Sequence, residues 1–394
     1  MDQHLRRDQE ELIVSVAKRK GIVEPKIQTE PGSIKGDNYL SAIVSVTVRD
    51  EQGDKKLNII AKKVLKGEET DQPRKKLNQL FSTEALVYQE LLPAYRELQE
   101  VNNVKDPFRG SAEFYGAILD EEKETILMQN LKEDGFKLWQ RQVPMDGIRV
   151  EIVIREYAKL HAASMAFKNV YPEKFEEYAE RCKLSENNDD DKNSNGFVNV
   201  AEQVATMFEN RQELKKSLDI FGQSMKSFLD DIRKEQQVFL HGDCWCNNIL
   251  YKYEDPSSPN PTRVCFIDWQ LARAGSPILD IAYFFIFNST KEVLSDHNRY
   301  LRIYHDVLSQ NLRELGLDPE KSFSFETLMD HWKKYAKFGV LMCILLLKMI
   351  VSDSQDIPDN FNDMVKLELS DTAETRYKER ITNVIEFMAH NELA

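Results

Sequence analysis

The chain has 394 residues, too many for one small hydrophobic core, so two lobes or domains are expected. Hydrophobic residues make up 41% and charged residues 30%, a balance typical of a globular protein and not of a fibre or a disordered chain. The formal net charge of −13 argues against a groove that binds nucleic acid.

Cysteines and apolar runs indicate the compartment. The five cysteines follow neither a metal-finger spacing nor a disulfide framework, which favours a reducing environment. The strongest apolar run, residues 338–351, contains Lys348 and is short for a membrane span, so a buried helix is expected there. The first residues lack an apolar core of signal-peptide length. We therefore expect a cytoplasmic protein without a membrane span.

The first part of the chain has the pattern of a helix followed by paired strands. Apolar residues at helical spacing predict a helix over 8–20. Alternating apolar residues predict strands over 43–48 and 57–62, joined by a turn. The preceding loop, 34–41, contains only Gly36 as a glycine. It is either a plain hairpin turn or a loop that lays backbone N–H groups over phosphates.

Lys62 ends the second strand, where an ammonium group is unfavourable unless a carboxylate pairs with it. Lys63 and Lys66 are neighbouring candidates, and a solvated surface lysine is the ordinary explanation for each. The next predicted helix has Glu84 in the middle of an apolar stripe, which consists of Leu77, Phe81, Tyr88 and Leu91. A carboxylate in that position needs a cation, so the pattern favours a partner among these lysines.

Strands are then predicted over 114–117 and 125–128, and they lead to Gln129-Asn130-Leu131. The remainder is mainly helical by pattern. The predicted helix over 155–167 contains His161, which we interpret as a structural core histidine.

One stretch, residues 238–270, holds the most specific pattern. Three apolar residues lead into His241-Gly242-Asp243, and Asn248 follows the aspartate by five positions. A second apolar run, a loop rich in turn-forming residues and a third run lead to Asp268. This order predicts a β-hairpin with a long connection.

The register of that hairpin decides which side chains meet. If Tyr253 faces Arg263, antiparallel pairing places Asn248 opposite Asp268. An amide and a carboxylate are oxygen ligands that suit Mg²⁺, and Asp243 could then take a hydroxyl proton in a phosphoryl transfer. Each aspartate alone could be an ordinary turn residue, but turns do not require this combined spacing.

The segments HGDCWCNN and IDWQ resemble motifs of the insect ecdysteroid kinase-like family. That family is related to the choline-kinase-like (CHK) group, in the superfamily of aminoglycoside phosphotransferases and choline kinases. The resemblance covers almost the whole chain. It implies an α+β, bilobal protein-kinase-like fold. A small β-sheet lobe, residues 1–130, would bind the nucleotide, and a larger helical lobe, residues 131–394, would hold the catalytic and acceptor groups.

The resemblance also implies roles for the central residues. Asp243 matches the catalytic base, and Asn248 and Asp268 match the metal ligands. The family's I-V-K strand and F-x-x-E helix correspond to Lys62 and Glu84. These two would pair and hold the α- and β-phosphates, with Lys63 as the main competitor of Lys62.

On the nucleotide side, Gly36, Asn38 and Tyr39 match a family segment that lies over the nucleotide. Gln129 to Leu131 match the hinge, where backbone groups of residues such as Gln129 and Leu131 meet adenine. Relatives often have two acids there. This chain has Gln and Asn instead, so any role of the acidic side chains does not carry over.

Only eleven residues separate Asp268 from Asp280. This interval is too short for the activation segment with which a protein kinase holds a peptide. In the family, a matching aspartate braces the catalytic loop. An N-cap for the following helix is the alternative role.

The sequence therefore predicts an ATP- and Mg²⁺-dependent kinase for a hydroxyl of a small organic molecule. The family implies an ecdysteroid or related steroid alcohol as the acceptor. A choline-like or aminoglycoside-like cation, or a foreign phenol or alcohol, is the alternative. A nucleotide-binding pseudokinase module is the second rival, although its expected sign, a missing base, ligand or lysine, is not found.

Overall fold

The computed structural model describes residues 4–32, 41–65, 73–183, 200–255, 258–357 and 367–394. Its first part is a five-stranded antiparallel sheet in the order β1-β2-β3-β5-β4. The strands are β1 (Pro25–Pro31), β2 (Ser41–Asp50), β3 (Lys56–Val64), β4 (Phe114–Ile118) and β5 (Thr125–Gln129). The helices of this part are α1 (Arg7–Arg19), α2 (Arg74–Leu86) and α3 (Leu92–Val101), with a π-helical turn over Val87–Leu91.

Alternation of apolar residues explains the central strands of this sheet. Val46 and Val48 of β2 are 0% exposed and pack in one small core with Ile13 of α1 and Ile59 of β3. Val46 lies opposite Ile59 in the register. The predicted first helix and the first two predicted strands are therefore confirmed, within a few residues at their ends.

The second part is mainly helical. Its helices are α4 (Gly147–Val170), α5 (Pro172–Arg181), α6 (Gln212–Ile232), α7 (Pro277–Asn288), α8 (Lys291–Ser295), α9 (His297–Glu314), α10 (Pro319–Phe323), α11 (Phe325–Tyr335), α12 (Lys337–Val351) and α13 (Asp371–His390). Short 3₁₀ turns cover Thr206–Phe208, Cys246–Asn248 and Trp269–Leu271.

Two small sheets belong to the second part. Their strands are β6 (Phe136–Leu138), β7 (Val238–Leu240), β8 (Ile249–Lys252), β9 (Arg263–Phe266) and β10 (Arg273–Gly275). The order is β6-β8-β9 in one sheet and β10-β7 in the other. An antiparallel sheet followed by a helical part confirms the predicted α+β class. The lobe boundary after residue 130 stays a prediction.

The apolar run near the C-terminus forms α12, which packs on α7. Gly339 allows this close approach, because a Cβ atom there would lie 2.2 Å from the carbonyl oxygen of Ala282. Within the described ranges, no helix combines the length and apolar character needed to cross a bilayer. The predicted buried helix is confirmed.

The hairpin of β8 and β9 has a different register from the predicted one. Lys252, not Tyr253, faces Arg263, and the backbone N–H of Ile267 donates to the carbonyl oxygen of Asn248 at 3.0 Å. The predicted opposition of Asn248 and Asp268 is therefore wrong by one residue. Both faces of this hairpin are largely buried, so polar alternation could not identify the register, and the long connection does not fix it either.

Candidate active site

The segment from β7 to β8 forms a tight loop that carries the HGD motif. Gly242 has φ +84°, and a Cβ atom at this position would lie 2.1 Å from the carbonyl oxygen of Leu271. A side chain would therefore both strain the backbone and collide with the neighbouring segment. Glycine lets the loop pass close to Leu271, and so places Asp243 beside the end of the hairpin.

His241 organises the same loop through both ring nitrogens. Its Nε2 donates to the carbonyl oxygen of Ile267 at 2.9 Å, and its Nδ1 accepts from the backbone N–H of Asp243 at 3.3 Å. This pattern defines the neutral tautomer protonated on Nε2. Burial lowers the pKa of His241, although nearby carboxylates oppose that change. His241 thus links the loop to the segment before Asp268.

Asp243 is half-buried, and each of its carboxylate oxygens has a donor. Asn248 Nδ2 donates to Oδ2 at 2.9 Å, and Tyr283 Oη donates to Oδ1 at 3.2 Å. Burial and the charge of Asp268 raise the pKa of Asp243 to about 7, against the effect of these two hydrogen bonds. A carboxyl with this pKa can accept a proton near neutral pH.

Lys62 lies at the centre of a buried charge cluster. Its Nζ is 2.5 Å from Glu84 Oε2, 2.7 Å from Asp268 Oδ1 and 3.3 Å from Gln270 Oε1. The side chains of Lys62 and Glu84 are 3% and 0% exposed. Burial alone would lower the pKa of Lys62, but the charges of Asp268 and Glu84 raise it above its ordinary value.

The structure also distinguishes Lys62 from its competitors. The ammonium group of Lys63 donates to the backbone oxygen of His4 at 3.0 Å, on the other face of β3. Lys66 lies outside the described residues. The apolar stripe that was predicted around Glu84 is buried, and Glu84 reaches Lys62 from within it.

The cluster has fewer positive than negative groups. One ammonium serves Glu84 and Asp268, and burial raises the pKa of Glu84 although Lys62 opposes this effect. The amide nitrogen of Asn248 donates to Asp243, so the amide oxygen of Asn248 can bind another partner. An amide oxygen, carboxylate oxygens and excess negative charge fit Mg²⁺.

No group of three or more His, Cys, Asp or Glu in the described part of the chain could hold a metal. The candidate ligands Asn248 and Asp268 form a smaller set of a different kind. Mg²⁺ commonly uses one or two protein ligands and completes its shell with water and phosphate oxygens. This donor set fits a cation that is bound together with a phosphorylated ligand.

A cleft between the first sheet and the hairpin contains Lys62, Glu84, Asn248 and Asp268. The sheet contributes Ile43, Ile60, Lys62, Met128 and Gln129 to its walls, and the connecting segment contributes Asn130, Leu131 and Lys132. The wall from the second part of the chain consists of Leu138, Asn247, Asn248, Leu250, Ile267 and Asp268. The cleft is also lined by Gly32 and Glu84. Apolar walls with charged groups suit a base joined to phosphates.

The residues predicted to contact the nucleotide lie only partly within the described ranges. Gln129 and Leu131 line the cleft. The side chain of Gln129 accepts from the backbone N–H of Glu113 and donates to Asp134. Both ends of its amide group are therefore already hydrogen-bonded within the protein. Gly36, Asn38 and Tyr39 lie outside the described residues.

Asp280, in α7, braces the loop that carries the HGD motif. Its carboxylate accepts from the backbone N–H groups of His241 at 2.7 Å and Gly242 at 3.0 Å. His161 Nε2 lies 3.3 Å away, and its Nδ1 lies 2.8 Å from the hydroxyl of Tyr304. Burial alone would raise the pKa of Asp280, but the hydrogen bond and charge of His161 help to lower it to about 2.

The alternative N-cap role of Asp280 is wrong. The helix begins at Pro277, and the side chain of Ser276 accepts from the N–H of Ile278. Asp280 therefore lies inside the first turn, where its side chain is free to face the loop. The predicted structural role of His161 is confirmed by its complete burial and its contact with Asp280.

Two contacts in the site were not predicted. Gln270 belongs to the IDWQ segment and Tyr283 belongs to the apolar helix α7, and the sequence predicts no role for either residue. The spacing holds a signal for Tyr283, because it follows Asp280 by three positions on a helix and so lies on the same face. Once Asp280 faces the loop, Tyr283 is expected to face it as well.

The five cysteines, Cys182, Cys244, Cys246, Cys265 and Cys343, are free and buried. Cys244 Sγ donates to Asp280 Oδ1 at 3.0 Å. Burial raises the pKa of the Cys244 thiol well above its ordinary value. Cys244 and Cys246, the two cysteines beside the HGD motif, are therefore buried thiols that form no disulfide.

Comparison with known proteins gives both short and long similarities. The chain is 32% identical over 60 residues to a 4-hydroxytryptamine kinase of Psilocybe cyanescens, which is 15% of this chain and 16% of that protein. It is 28% identical over 60 residues to the 4-hydroxytryptamine kinase of Psilocybe cubensis, which is 15% of this chain and 17% of that protein. The matched region thus spans less than a fifth of either relative.

Two solved structures are similar over nearly the whole length. A GDP complex of an aminoglycoside 2'-phosphotransferase-IIIa variant has a TM-score of 0.46 and 11% identity, covering 97% of this chain and 98% of the other. Choline kinase from Cryptosporidium parvum Iowa II has a TM-score of 0.46 and 14% identity, covering 97% of each chain. A family model matches a long continuous region, residues 35–317, and by this match the chain belongs to the ecdysteroid kinase-like family.

Proposed function

We propose that this protein is an ATP-dependent kinase that transfers the γ-phosphate of ATP to a hydroxyl group of a small organic molecule. The observation that carries the proposal is the charge cluster of Lys62, Glu84 and Asp268, which lines the same cleft as Asn248, the partner of Asp243. A lysine held by a helix glutamate, two metal-type ligands and a separate base are the parts that phosphoryl transfer requires.

On the nucleotide side, the apolar cleft would take adenine against residues such as Met128 and Leu250, with backbone contacts at Gln129 and Leu131. Gly36, Asn38 and Tyr39 would lie over the nucleotide. Lys62 would hold the α- and β-phosphates while Glu84 keeps its ammonium group in place.

Asn248 and Asp268 would hold Mg²⁺, which supplies positive charge against the phosphates when bound. Asp243 would orient the acceptor hydroxyl and take its proton as the acceptor oxygen attacks the γ-phosphorus. Most of the rate enhancement would then come from positioning and from fixed charges.

The acceptor that we propose first is an ecdysteroid or a related steroid alcohol, the class named in the description of the family. A second candidate is a hydroxyl on an aromatic amine, because a 32% identical segment comes from a 4-hydroxytryptamine kinase. An inactive nucleotide-binding pseudokinase is disfavoured because all the groups required for phosphoryl transfer lie close together in the described structure. These groups are Lys62, Glu84, Asp243, Asn248 and Asp268.

An acceptor screen tests the proposal. The full chain is incubated with Mg²⁺, ATP and separate pools of steroid alcohols, hydroxylated indole amines, and choline with aminoglycosides. Mass spectrometry then identifies any compound that gains one phosphoryl group. We expect a product from the steroid pool in the wild type and a strong loss of that product in Asp243→Asn. Binding of Mg²⁺ and ATP without a phosphorylated product in any pool would overturn the proposal.

A further inference from the structure

The carboxylate of Asp243 has a partner that no sequence motif indicates. Tyr283 Oη donates to Oδ1 at 3.2 Å, while Asn248 Nδ2 donates to Oδ2 at 2.9 Å. The two donors come from different elements, since Tyr283 lies in α7 and Asn248 precedes β8. Donors on both oxygens restrict rotation of the carboxylate about its Cβ–Cγ bond.

Tyr283 is itself held firmly. Its side chain is 0% exposed, and its ring packs edge-on against Phe287 and Phe338, with centroid distances of 5.5 and 6.1 Å. One turn earlier in the same helix, Asp280 binds the backbone of His241 and Gly242. The helix therefore fixes the Tyr283 hydroxyl relative to the loop that carries Asp243.

The chemistry of the phenol fits a donor. Burial, followed by the charge of Asp243, raises the pKa of Tyr283 well above its ordinary value. The hydroxyl therefore stays protonated and donates a hydrogen bond to the carboxylate. It offers Asp243 a fixed partner without exchanging protons with the acceptor.

We infer that Tyr283 is a positioning residue, whose hydroxyl holds Asp243 in the orientation that receives the acceptor proton. The inference rests on the proposed function, in which Asp243 is the base. In the reaction, the acceptor proton moves to Asp243 and the acceptor oxygen forms a bond to the γ-phosphorus. The bond from that phosphorus to the bridging oxygen of ADP breaks, and Tyr283 retains its own proton throughout.

A double-mutant cycle tests this role. Tyr283→Phe removes the hydroxyl and keeps the ring contacts, so we expect kcat to fall about tenfold while the KM for ATP changes by less than about twofold. In the Asp243→Asn background, the same change should lower kcat no further, because the base that it positions is already absent. Tyr95→Phe, which alters a buried tyrosine of α3, is the control and should leave kcat unchanged.

A crystal structure of the Tyr283→Phe variant gives a readout that does not depend on activity. We expect the Asp243 carboxylate to rotate away from its wild-type orientation. Tyr283→Met provides a second variant without the hydroxyl if the phenylalanine variant does not fold. An unmoved carboxylate, or an equal fall in kcat in both backgrounds, would overturn the inference. A wild-type protein that phosphorylates no acceptor would refute the proposed function, and the orientation of Asp243 would still decide the role of Tyr283.

Discussion

At the scale of single residues, the site contains more carboxylates than cations. Lys62 provides one ammonium group for Glu84 and Asp268, and Asp243 adds a third carboxylate nearby. In the proposed function these groups have separate tasks, since Asp243 acts on the acceptor and Lys62 acts on the nucleotide. Substitutions at the two positions should therefore have different effects on binding, turnover and stability.

Asp243→Asn should leave the affinity for ATP nearly intact and lower kcat by a factor of about 10² or more, because the amide cannot take the acceptor proton. Nucleotide titration and steady-state kinetics on the same preparation measure the two quantities. A variant with kcat close to that of the wild type would remove Asp243 from the role of base.

Lys62→Met should lower the free energy of unfolding by about 3 kcal/mol, because it leaves Glu84 buried without its cation. It should also weaken ATP binding. Urea unfolding and nucleotide titration measure these effects. Lys63→Met is the matched control on the neighbouring residue, and we expect it to leave ATP affinity unchanged. Equal losses of ATP affinity in the two variants would contradict the assignment of Lys62.

At the scale of elements, α7 links the loop that carries the HGD motif to the helical core. Ser276 caps the helix, Asp280 binds the loop backbone, and Tyr283 contacts Asp243 one turn later. Behind Asp280, His161 and Tyr304 continue the chain of contacts into α4 and α9. Helix α7 and its polar partners thus hold the loop from one side, while the bond from His241 to Ile267 holds it to the segment before Asp268.

This arrangement predicts a pH dependence for stability. The pKa of Asp280 falls from its ordinary value of 3.8 to about 2 in the folded protein. A carboxyl whose pKa is lowered by folding stabilises the folded state at pH values above its ordinary pKa. That contribution is lost as the pH falls through about 2, the pKa in the folded protein. Between pH 5 and pH 2, the wild type should therefore lose about 2 kcal/mol more than Asp280→Asn.

Urea unfolding of both proteins at several pH values measures the difference. The comparison between the two proteins cancels the titration of the remaining carboxyls, which they share. Parallel curves over this whole pH range would show that the charge of Asp280 does not stabilise the loop.

At the scale of the whole molecule, the cleft joins the two parts of the chain. The ion pair of Lys62 with Asp268 connects the first sheet to the hairpin region, and residues of both parts line the cleft. A ligand in this cleft should therefore stabilise the folded state as a whole.

A non-hydrolysable ATP analogue with Mg²⁺, at about 100 times its Kd, should raise the free energy of unfolding by about 2.7 kcal/mol. Without a divalent cation, the same analogue concentration should have a smaller effect, because the phosphate charge then faces Asp268 uncompensated. Thermal unfolding with and without Mg²⁺ measures this. An identical shift in both conditions would contradict the proposed metal ligands.

Much of the first sheet and the charge cluster could be predicted from sequence because the signals are local. The alternation around Val46 identified β2, and an acid within an apolar stripe identified Glu84 as a residue in need of a cation. The choice of Lys62 over Lys63 needed the family resemblance, since both lysines are nearly buried. Strand β1 was not predicted, because its sequence, PKIQTEP, is largely polar and is bounded by prolines.

The remaining features depend on tertiary contacts. The hairpin register could not be read where both faces are buried, and Asp268 leaves the strand in a left-handed conformation with φ 65° and ψ 66°. The contact of Tyr283 with Asp243 depends on how α7 packs against the loop. Its spacing from Asp280 becomes informative only when the direction of Asp280 is known.

All five thiols are buried, so their reaction with a reagent in solution reports local opening of the structure. Cys244 is 0% exposed and its thiol donates to Asp280, so its rate of modification by a thiol reagent measures how often the structure around the HGD motif opens. Modification at Cys343 reports instead on the helical interior around α12. Mass-resolved labelling of the unaltered protein could therefore rank the opening of these regions, and show which of them nucleotide binding keeps closed.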